Sequence, residues 1–465
     1  MHMANLVGNS FLVEITMPHD AQRQALIDQM TQRFRKTLER QMPDDNATLD
    51  EIEEAVDKIG NDILGDLQQR LTNHRVKKPR DNQIDCACGG RARYRQMESK
   101  TLVTRHGLLI WKRPCYYCCA CKRGFAPLDA TLGLDRGETT QAVRAFIALL
   151  APQLGFVQTA TTLHALRGID LCAATVERIA VRIGTSLRAA QQKEAHQHHQ
   201  DTLPDQRTAC PRRLYIGADG VMTPLRDPWK KNGSLGDLTC RHGECKTGVV
   251  YETHRDKQGK DSRVHTKAYT ATLSGVETFA RLLGTLAHRC GHHAAQEIVV
   301  LGDGAPWLWF MFARQFPGAV QILDFYHACD HLAQVAEAMC GKDTEPARQW
   351  QSARQAELKD NRIREVLRAL SAWKPQSKAH YQLRRTQFRY FRHNAERMRY
   401  KTFLEKGYHI GSGVVEAACK HVIAQRLDQA GMHWREGTAE AILTLRAAQL
   451  STHPPDLRPH LAFAH

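Results

Sequence analysis

Residues 297–307 read EIVVLGDGAPW, an apolar run that stops on Asp303 between two glycines. Glycine on both sides keeps side chains away from a carboxylate and lets another group approach it closely. A second acid has the same setting. In LYIGADGV, residues 214–221, Leu214, Ile216 and Ala218 face one way while Tyr215, Gly217 and Asp219 face the other, and glycine follows the acid. A third acid, Glu416, stands just inside a helix start after the GSG of residues 411–413. A Ser-x-x-Glu capping box from Ser412 would need its acid at Val415, so capping does not account for Glu416. Glu416 and Lys420 are four apart and share a face, which leaves a solvent-exposed ion pair as the competing account. Val415, Cys419 and Val422 make the apolar face of the same helix. If the strands of Asp219 and Asp303 are central and adjacent, their carboxylates lie side by side and their repulsion calls for bound cations. Three hard oxygen ligands on a rigid frame suit Mg²⁺ (or Mn²⁺). Two such ions straddling a phosphodiester activate the attacking oxygen and stabilise the leaving one.

A second cluster is made of sulfur. Six of the 14 cysteines fall between positions 86 and 121, in CACGG (86–90) and CYYCCACKRGF (115–125). Clustering of that kind in a chain without a secretory leader points to a metal rather than to disulfides. Cys86 and Cys88 on one turn, with Cys118 and Cys121 on another, make a closed tetrahedral thiolate site for structural Zn²⁺, a zinc ribbon. Cys115 with Cys118 is an alternative second pair, and reduced, unligated thiols are the alternative to zinc. Two weaker groupings offer metal ligands but read first as a hairpin with free thiols (Cys240, His242, Cys245) and a solvated linker (HQHHQD, 196–201).

A chain of 465 residues exceeds one core, and its formal charge of +16 favours a polyanionic partner, DNA or RNA, over a charge carried for solubility. The first twenty residues lack the features of a signal peptide. The most apolar stretch, AFIALLAPQLGFV, is broken by Pro152 and too short to span a bilayer. A soluble, cytoplasmic protein with no membrane partner is therefore expected.

Elements must position these residues. Residues 1–80 read as an N-terminal helical region, with Ile52, Val56, Ile59, Ile63 and Leu67 forming a stripe and a basic linker after it. Residues 81–132 hold the zinc ribbon. Residues 133–205 carry three helical segments; the last, bearing Thr175, Arg178 and Arg182, fits a helix-turn-helix or an ordinary three-helix bundle. From 206 to 335 strands and helices mix, and the Ile298–Leu301 run suits a central strand buried on both faces. An Arg- and Lys-rich helical tract covers 336–405, the Glu416 helix lies in 406–452, and a tail runs over 453–465.

IGADGVMTP, VVLGDGAPWLW, DFYHACDHL and GSGVVEAACKHVIAQRLDQAGMHW, in that order, resemble the transposases of bacterial insertion sequences of the ISKra family, Asp-Asp-Glu enzymes related to the Mutator group. The resemblance runs from the zinc ribbon to about residue 450. It implies an α/β chain: an RNase H-like catalytic domain with an all-α insertion, preceded by a helical segment, a zinc ribbon and a helix-turn-helix. Asp219, Asp303 and Glu416 would be its metal-binding triad, and the basic insertion would contact transposon-end DNA. Asp324 and His327 match a signature that follows the second acid in the related group, and His331 lies one turn on. These could order the site, although an aromatic, His-bearing helix start is more often structural. GECKTGVVY resembles the family's Glu-x-Lys strand, with Cys245 where an aliphatic residue is expected. Trp307 and Trp434 read as core, with stacking on a flipped base as the other role for a Trp near the site. The implied function is Mg²⁺-dependent strand cleavage at transposon ends and transfer into target DNA by a homodimer or larger assembly. The rivals are a DNA-binding regulator on an inactive scaffold and a Mg²⁺ nuclease without strand transfer.

Overall fold

The computed structural model describes residues 20–76, 81–135, 137–204, 211–226, 240–256 and 260–463. The opening stretch, 1–19, and residues 77–80 of the basic linker lie outside them. The described residues group into two compact units: one reaches Val143 and takes in Thr162–Asp170 and Phe463, the other holds Arg144–Thr161 and Leu171–Ala462.

The first unit opens with helices α1 (Asp20–Gln41) and α2 (Leu49–Arg75). A capping box starts α2: Glu51 N–H donates to Thr48 Oγ1 at 3.4 Å, and Thr48 N–H to the Glu51 carboxylate at 2.8 Å. Of the stripe expected on α2, Ile59 is buried, but Ile52 and Val56 are 40% and 61% exposed. A four-stranded antiparallel sheet follows, in the order β1 (Gln83–Asp85), β2 (Arg91–Thr104), β3 (Gly107–Cys118), β4 (Arg123–Phe125). Gln69 of α2 covers the open edge of β3, donating to Ile110 O at 2.6 Å and accepting from Ile110 N–H at 3.1 Å. Leu102, Leu109 and Trp111 are buried beneath, near the short α3 (Pro127–Thr131).

Three helices come next: α4 (Gln141–Leu150), α5 (Phe156–Arg167) and the long α6 (Ala173–His199). The second unit is built on a mixed sheet of β5 (Arg213–Arg226), β6 (Cys240–Arg255), β7 (Asp261–Thr272), β8 (Glu297–Gly302) and β9 (Val320–Leu323), with α7 (Val276–Arg289) and α8 (Pro306–Gln315) between its later strands. Its order is β7-β6-β5-β8-β9; β5 pairs antiparallel with β6 and parallel with β8, which pairs parallel with β9. As the apolar run predicts, β8 is central, and Val299, Val300 and Leu301 are fully buried.

Helices α9 (Phe325–Cys340), α10 (Glu345–Lys359), α11 (Ile363–Ala372), α12 (Lys378–His393) and α13 (Tyr400–Glu405) form the helical tract, which begins directly after β9 rather than at 336. The Glu416 helix is α14 (Gly413–Ala418), continued by a π-helical turn (Cys419–Ala424) and α15 (Gln425–Leu427). Helices α16 (Glu436–Leu450) and α17 (Arg458–Leu461) end the unit. Helix α16 has no counterpart among the elements expected from sequence, and it is buried continuously from Ala439 to Ala448. Val176, Ile179, Ile183 and Leu187 of α6 are buried too, and a Cβ at Gly184 would stand 2.3 Å from the Ala441 carbonyl oxygen. Backbone therefore meets backbone where α6 lies on α16, so one face of α6 belongs to the core. No helix among the described residues is long and apolar enough to cross a membrane.

Candidate functional site

The sheet brings two of the three acids together. The last parallel pair between β5 and β8 is Gly217↔Leu301, so Asp219 and Asp303 stand at matching positions two residues further on. Asp303 follows the end of β8 as expected. Asp219 does not end its strand: β5 continues to Arg226 because β6 pairs with it as far as Arg226↔Cys240, whereas β8 stops at Gly302. Asp219 thus lies where β5 loses one of its two partners. Its Oδ1 accepts from Gly220 N–H at 2.7 Å and its Oδ2 from the Cys419 thiol at 3.4 Å. Burial raises the Asp219 pKa and the Asp303 charge raises it further, against the opposing pull of the Gly220 N–H.

The third acid arrives on α14, and Gly217 explains how. A Cβ at Gly217 would fall 2.2 Å from Val415 Cγ2. Gly217 and Asp219 are on the same face of β5, so α14 packs on the face that carries Asp219. Val415, Cys419 and Val422 are buried, as their spacing predicts, while Glu416 and Lys420 are exposed. The helix widens into its π turn from Cys419, and Glu416 and Lys420 form no ion pair. Nor does Asp219 or Asp303 pair with a Lys or Arg among the described residues. Two neighbouring carboxylates without a Lys or Arg between them are a donor set suited to a hard divalent cation. The three acids are not within 4.8 Å of one another as a set; among the described residues only four cysteines and three histidines form such groups.

Around Asp303 the helical tract supplies a wall. A Cβ at Gly304 (φ +103°) would stand 2.6 Å from the Tyr390 ring, and Tyr390 Oη donates to the Asp303 carbonyl at 2.9 Å. His331 stacks on Tyr390 at 3.9 Å between centroids, with His327 4.9 Å from His331. The Gln387 side-chain oxygen at 2.7 Å fixes a proton on His331 Nδ1, and burial lowers the pKa of that ring. Asp324 has a different job. It is buried, caps α9 through Tyr326 N–H at 2.7 Å, and accepts from both the N–H and the hydroxyl of Ser412. It thereby ties the start of α9 to the start of the Glu416 helix. Trp434 is a core residue: it is buried, donates to Leu427 O at 3.0 Å and meets Phe156 edge to face. Trp307 is half-buried beside Lys246, which is itself buried and paired with Glu244 at 2.8 Å. Cys245 is buried in the sheet, and with Cys240 and His242 it forms no ligand group.

In the first unit Cys86, Cys88, Cys118 and Cys121 converge. Cys86 and Cys88 lie on the turn between β1 and β2, and Gly89 (φ +82°) bends it. Cys118 ends β3, and Cys121 occupies the following turn. Sγ–Sγ distances are 3.7 Å for Cys86–Cys121 and 3.6 Å for Cys88–Cys118. Four sulfurs about 2.3 Å from a zinc at tetrahedral angles stand about 3.8 Å apart, close to the two distances above, so this cluster could bind zinc. The Cys121 N–H draws the Cys118 thiol down to about 7, with a smaller contribution from Cys88. The alternative pair fails at Cys115, whose thiol donates to Glu98 at 3.2 Å and is pushed up to about 11 by burial.

The profile of an uncharacterised protein family matches residues 46–456. The chain belongs to that family, UPF0236. No curated protein matches this UPF0236 chain in sequence. Among solved structures it is similar to the Drosophila P element transposase strand transfer complex, at 9% identity and a TM-score of 0.23, over 69% of this chain and 80% of that one. So loose a likeness says nothing about the activity of this chain.

The contacts of Tyr390 and Cys419 with the acids, and the grouping of three histidines, are not among the sequence expectations. Tyr390 and Cys419 touch the acids only through packing between distant segments, which no local pattern reports. His288, His292 and His293, by contrast, are close in sequence, and their ring nitrogens lie within 4.8 Å of one another.

Proposed function

We propose that this UPF0236 chain is a DNA transposase of a bacterial insertion sequence, of the ISKra type. Asp219, Asp303 and Glu416 act as its metal-binding triad on an RNase H-like sheet with an all-α insertion. The observation that carries the reading is the β5–β8 register, which aligns two unpaired carboxylates at neighbouring positions while Gly217 seats the Glu416 helix on the same face. Asp219, Asp303 and Glu416 would hold Mg²⁺ (or Mn²⁺), which would activate the attacking oxygen and stabilise the leaving one. The chain's own residues do the positioning. The sheet fixes the aspartates, Asp324 and Ser412 anchor the Glu helix, and Tyr390 with His331 shapes the wall beside Asp303. In the proposed sequence water first hydrolyses a strand at the transposon end, and the freed 3′-hydroxyl then attacks a target phosphodiester, joining to its 5′-phosphate and releasing the target strand's 3′-hydroxyl.

On α12, Arg385, Arg389 and Arg392 are exposed at spacings of four and three, and on α6 Arg178 and Arg182 face away from the core. Both sets suit phosphate contacts to end and target DNA. The cysteine cluster would hold structural Zn²⁺. Apolar residues left exposed on α1 and α2, among them Phe34, Leu38 and Val56, suit assembly into the dimer or larger complex that two transposon ends require.

The test is cleavage and joining of labelled transposon-end duplex by purified protein with Mg²⁺. Asp303→Asn is expected to abolish both steps and leave DNA binding nearly unchanged. Binding without any nicking by the unaltered chain would favour a regulator, and nicking without joining a nuclease. Normal cutting by Asp303→Asn would overturn the site.

A further inference from the structure

A cluster of histidines stands at the C-terminal end of α7 and shares no residue with the carboxylate or cysteine sets. His288 lies on the last turn of α7, and the chain then passes through Gly291 at φ +83° into a 3-10 turn, His292–Ala294. The left-handed glycine folds His292 and His293 back over the end of α7. Short hydrogen bonds hold that path: Gly291 N–H to His288 O at 2.9 Å and Ala294 N–H to Gly291 O at 3.0 Å. His288 and His293 pack with ring centroids 5.0 Å apart, and His292 is 6.3 Å from His288 and 6.2 Å from His293. The Nδ1 of His292 is a buried atom with no hydrogen-bond partner. A fourth imidazole, His198 at the end of α6, sits 4.7 Å from the His288 ring. The Thr285 hydroxyl donates to Arg281 O at 2.8 Å, so its oxygen can only accept from His198 Nδ1, 3.3 Å away. That contact puts the His198 proton on Nδ1 and leaves its Nε2 lone pair open.

We propose that His288, His292 and His293 form a second metal site, selective for a borderline divalent transition ion such as Zn²⁺, Ni²⁺ or Cu²⁺, with His198 in reserve beside it. Imidazole is the ligand these ions share, whereas Mg²⁺ prefers oxygen, so the site is chemically distinct from the carboxylate triad. Nitrogens on a tetrahedral zinc stand about 3.4 Å apart. The three rings offer nitrogens already within 4.8 Å of one another, so closure takes side-chain movement of about an ångström and no refolding. Three ligands leave a fourth position, open to water, to His198 or to a donor from another molecule. Bound metal would clamp the end of α7 to the turn that launches β8, the strand that leads to Asp303.

The experiment uses the full chain without a polyhistidine tag, stripped of metal and titrated with Zn²⁺. The Asp303→Asn variant serves as parent, to disable the carboxylate site. Zinc retained after gel filtration is counted by atomic emission. The parent is expected to hold two zinc ions, one lost on Cys118→Ser and the other on His288→Gln. His293→Gln gives a second route to the same loss at the exposed member of the three, where the core is not disturbed. Circular dichroism unchanged from the parent accompanies that variant. A parent that holds one zinc, removed wholly by Cys118→Ser, would overturn the proposal. So would a His293→Gln chain that keeps two ions at the parent's affinity.

Discussion

The contact between Gly217 and Val415 allows the acid site to be disturbed without touching an acid. In Gly217→Ala the new methyl would begin 2.2 Å from Val415 Cγ2, where ordinary contact starts at 3.4 Å. Val415 is β-branched and sits in a helix, where its χ1 has one favoured setting, so it cannot swing aside cheaply. It is also only 3% exposed. The simplest relief is for α14 to lift by about 1.2 Å, the difference between those two distances. Overpacking of this kind costs about 1–3 kcal/mol of stability. A displacement of about 1 Å at a positioned catalytic group costs on the order of 10²-fold in rate. The expected result is therefore Mg²⁺-dependent nicking of end DNA reduced by about two orders of magnitude, with the urea midpoint lowered and DNA binding retained. The companion change Val415→Ala removes the clashing methyl groups at a cost of about 1.6 kcal/mol on its own, from two lost methylene equivalents. In the double variant one methyl replaces what the other change removed. Its destabilisation should fall well below the sum of the single changes, and much of the nicking should return. Nicking by Gly217→Ala at the unaltered rate, or additive stability losses in the double variant, would show that α14 is not held on the Asp219 face by this contact.

Three further outcomes rest on individual contacts. The pKa of Asp219 is raised in the folded chain, so the folded state holds its proton more tightly than the unfolded one and loses stability as pH climbs from the ordinary aspartate range through the raised value. Asp219→Asn should accordingly raise stability at neutral pH without divalent ions and flatten the slope across that window, while removing Mg²⁺-dependent nicking; calorimetry across pH reads the first part and the nicking assay the second. Cys118→Ser should lose the zinc of the cysteine cluster, worth on the order of 10 kcal/mol in small zinc domains, whereas Cys115→Ser should keep it, as metal analysis of the two variants would show. Asp324→Ala should cost about 2–4 kcal/mol in urea unfolding, since it removes the α9 cap and strips acceptors from the buried N–H and hydroxyl of Ser412, and Ser412→Ala should recover little of it.

What can be read from the sequence is whatever is local. The Ile298–Leu301 run announces a doubly buried strand, and Val415, Cys419 and Val422 announce the buried face of α14, because each pattern is complete within a few residues. The cysteine cluster is legible for the same reason, as pairs on two turns, but the choice between Cys115 and Cys121 is not, because it depends on the contact of Cys115 with Glu98. Helix α16 is not, since a helix buried on every side has no polar face to give it a period. The stripe on α2 misleads in the opposite direction, its period being real while Ile52 and Val56 remain exposed. The glycine after Asp219 suggests a strand end, but the neighbouring β6 carries the pairing seven residues further. Tyr390 and Cys419 reach the acids only through tertiary packing, 87 residues from Asp303 in one case and 200 from Asp219 in the other.

The acids differ in how firmly they are held, and the difference bears on how such a site would be assembled. Asp219 and Asp303 are carried by adjacent strands whose hydrogen bonds fix their spacing. Glu416 is exposed on a helix seated by one valine over one glycine, by the Cys419 thiol on Asp219, and by the Asp324–Ser412 tie at its start. The thiol contact is made where the helix widens into a π turn, an irregularity that recurs at functional sites. The helix is held by side-chain packing rather than by strand hydrogen bonds, so it is the part of the frame that can shift by repacking alone. A bound cation between the aspartates would draw Glu416 inward against this packing, with no strand ladder to break. On this reasoning the carboxylate pair is built into the sheet, and completing the triad is a matter of how α14 settles on Gly217.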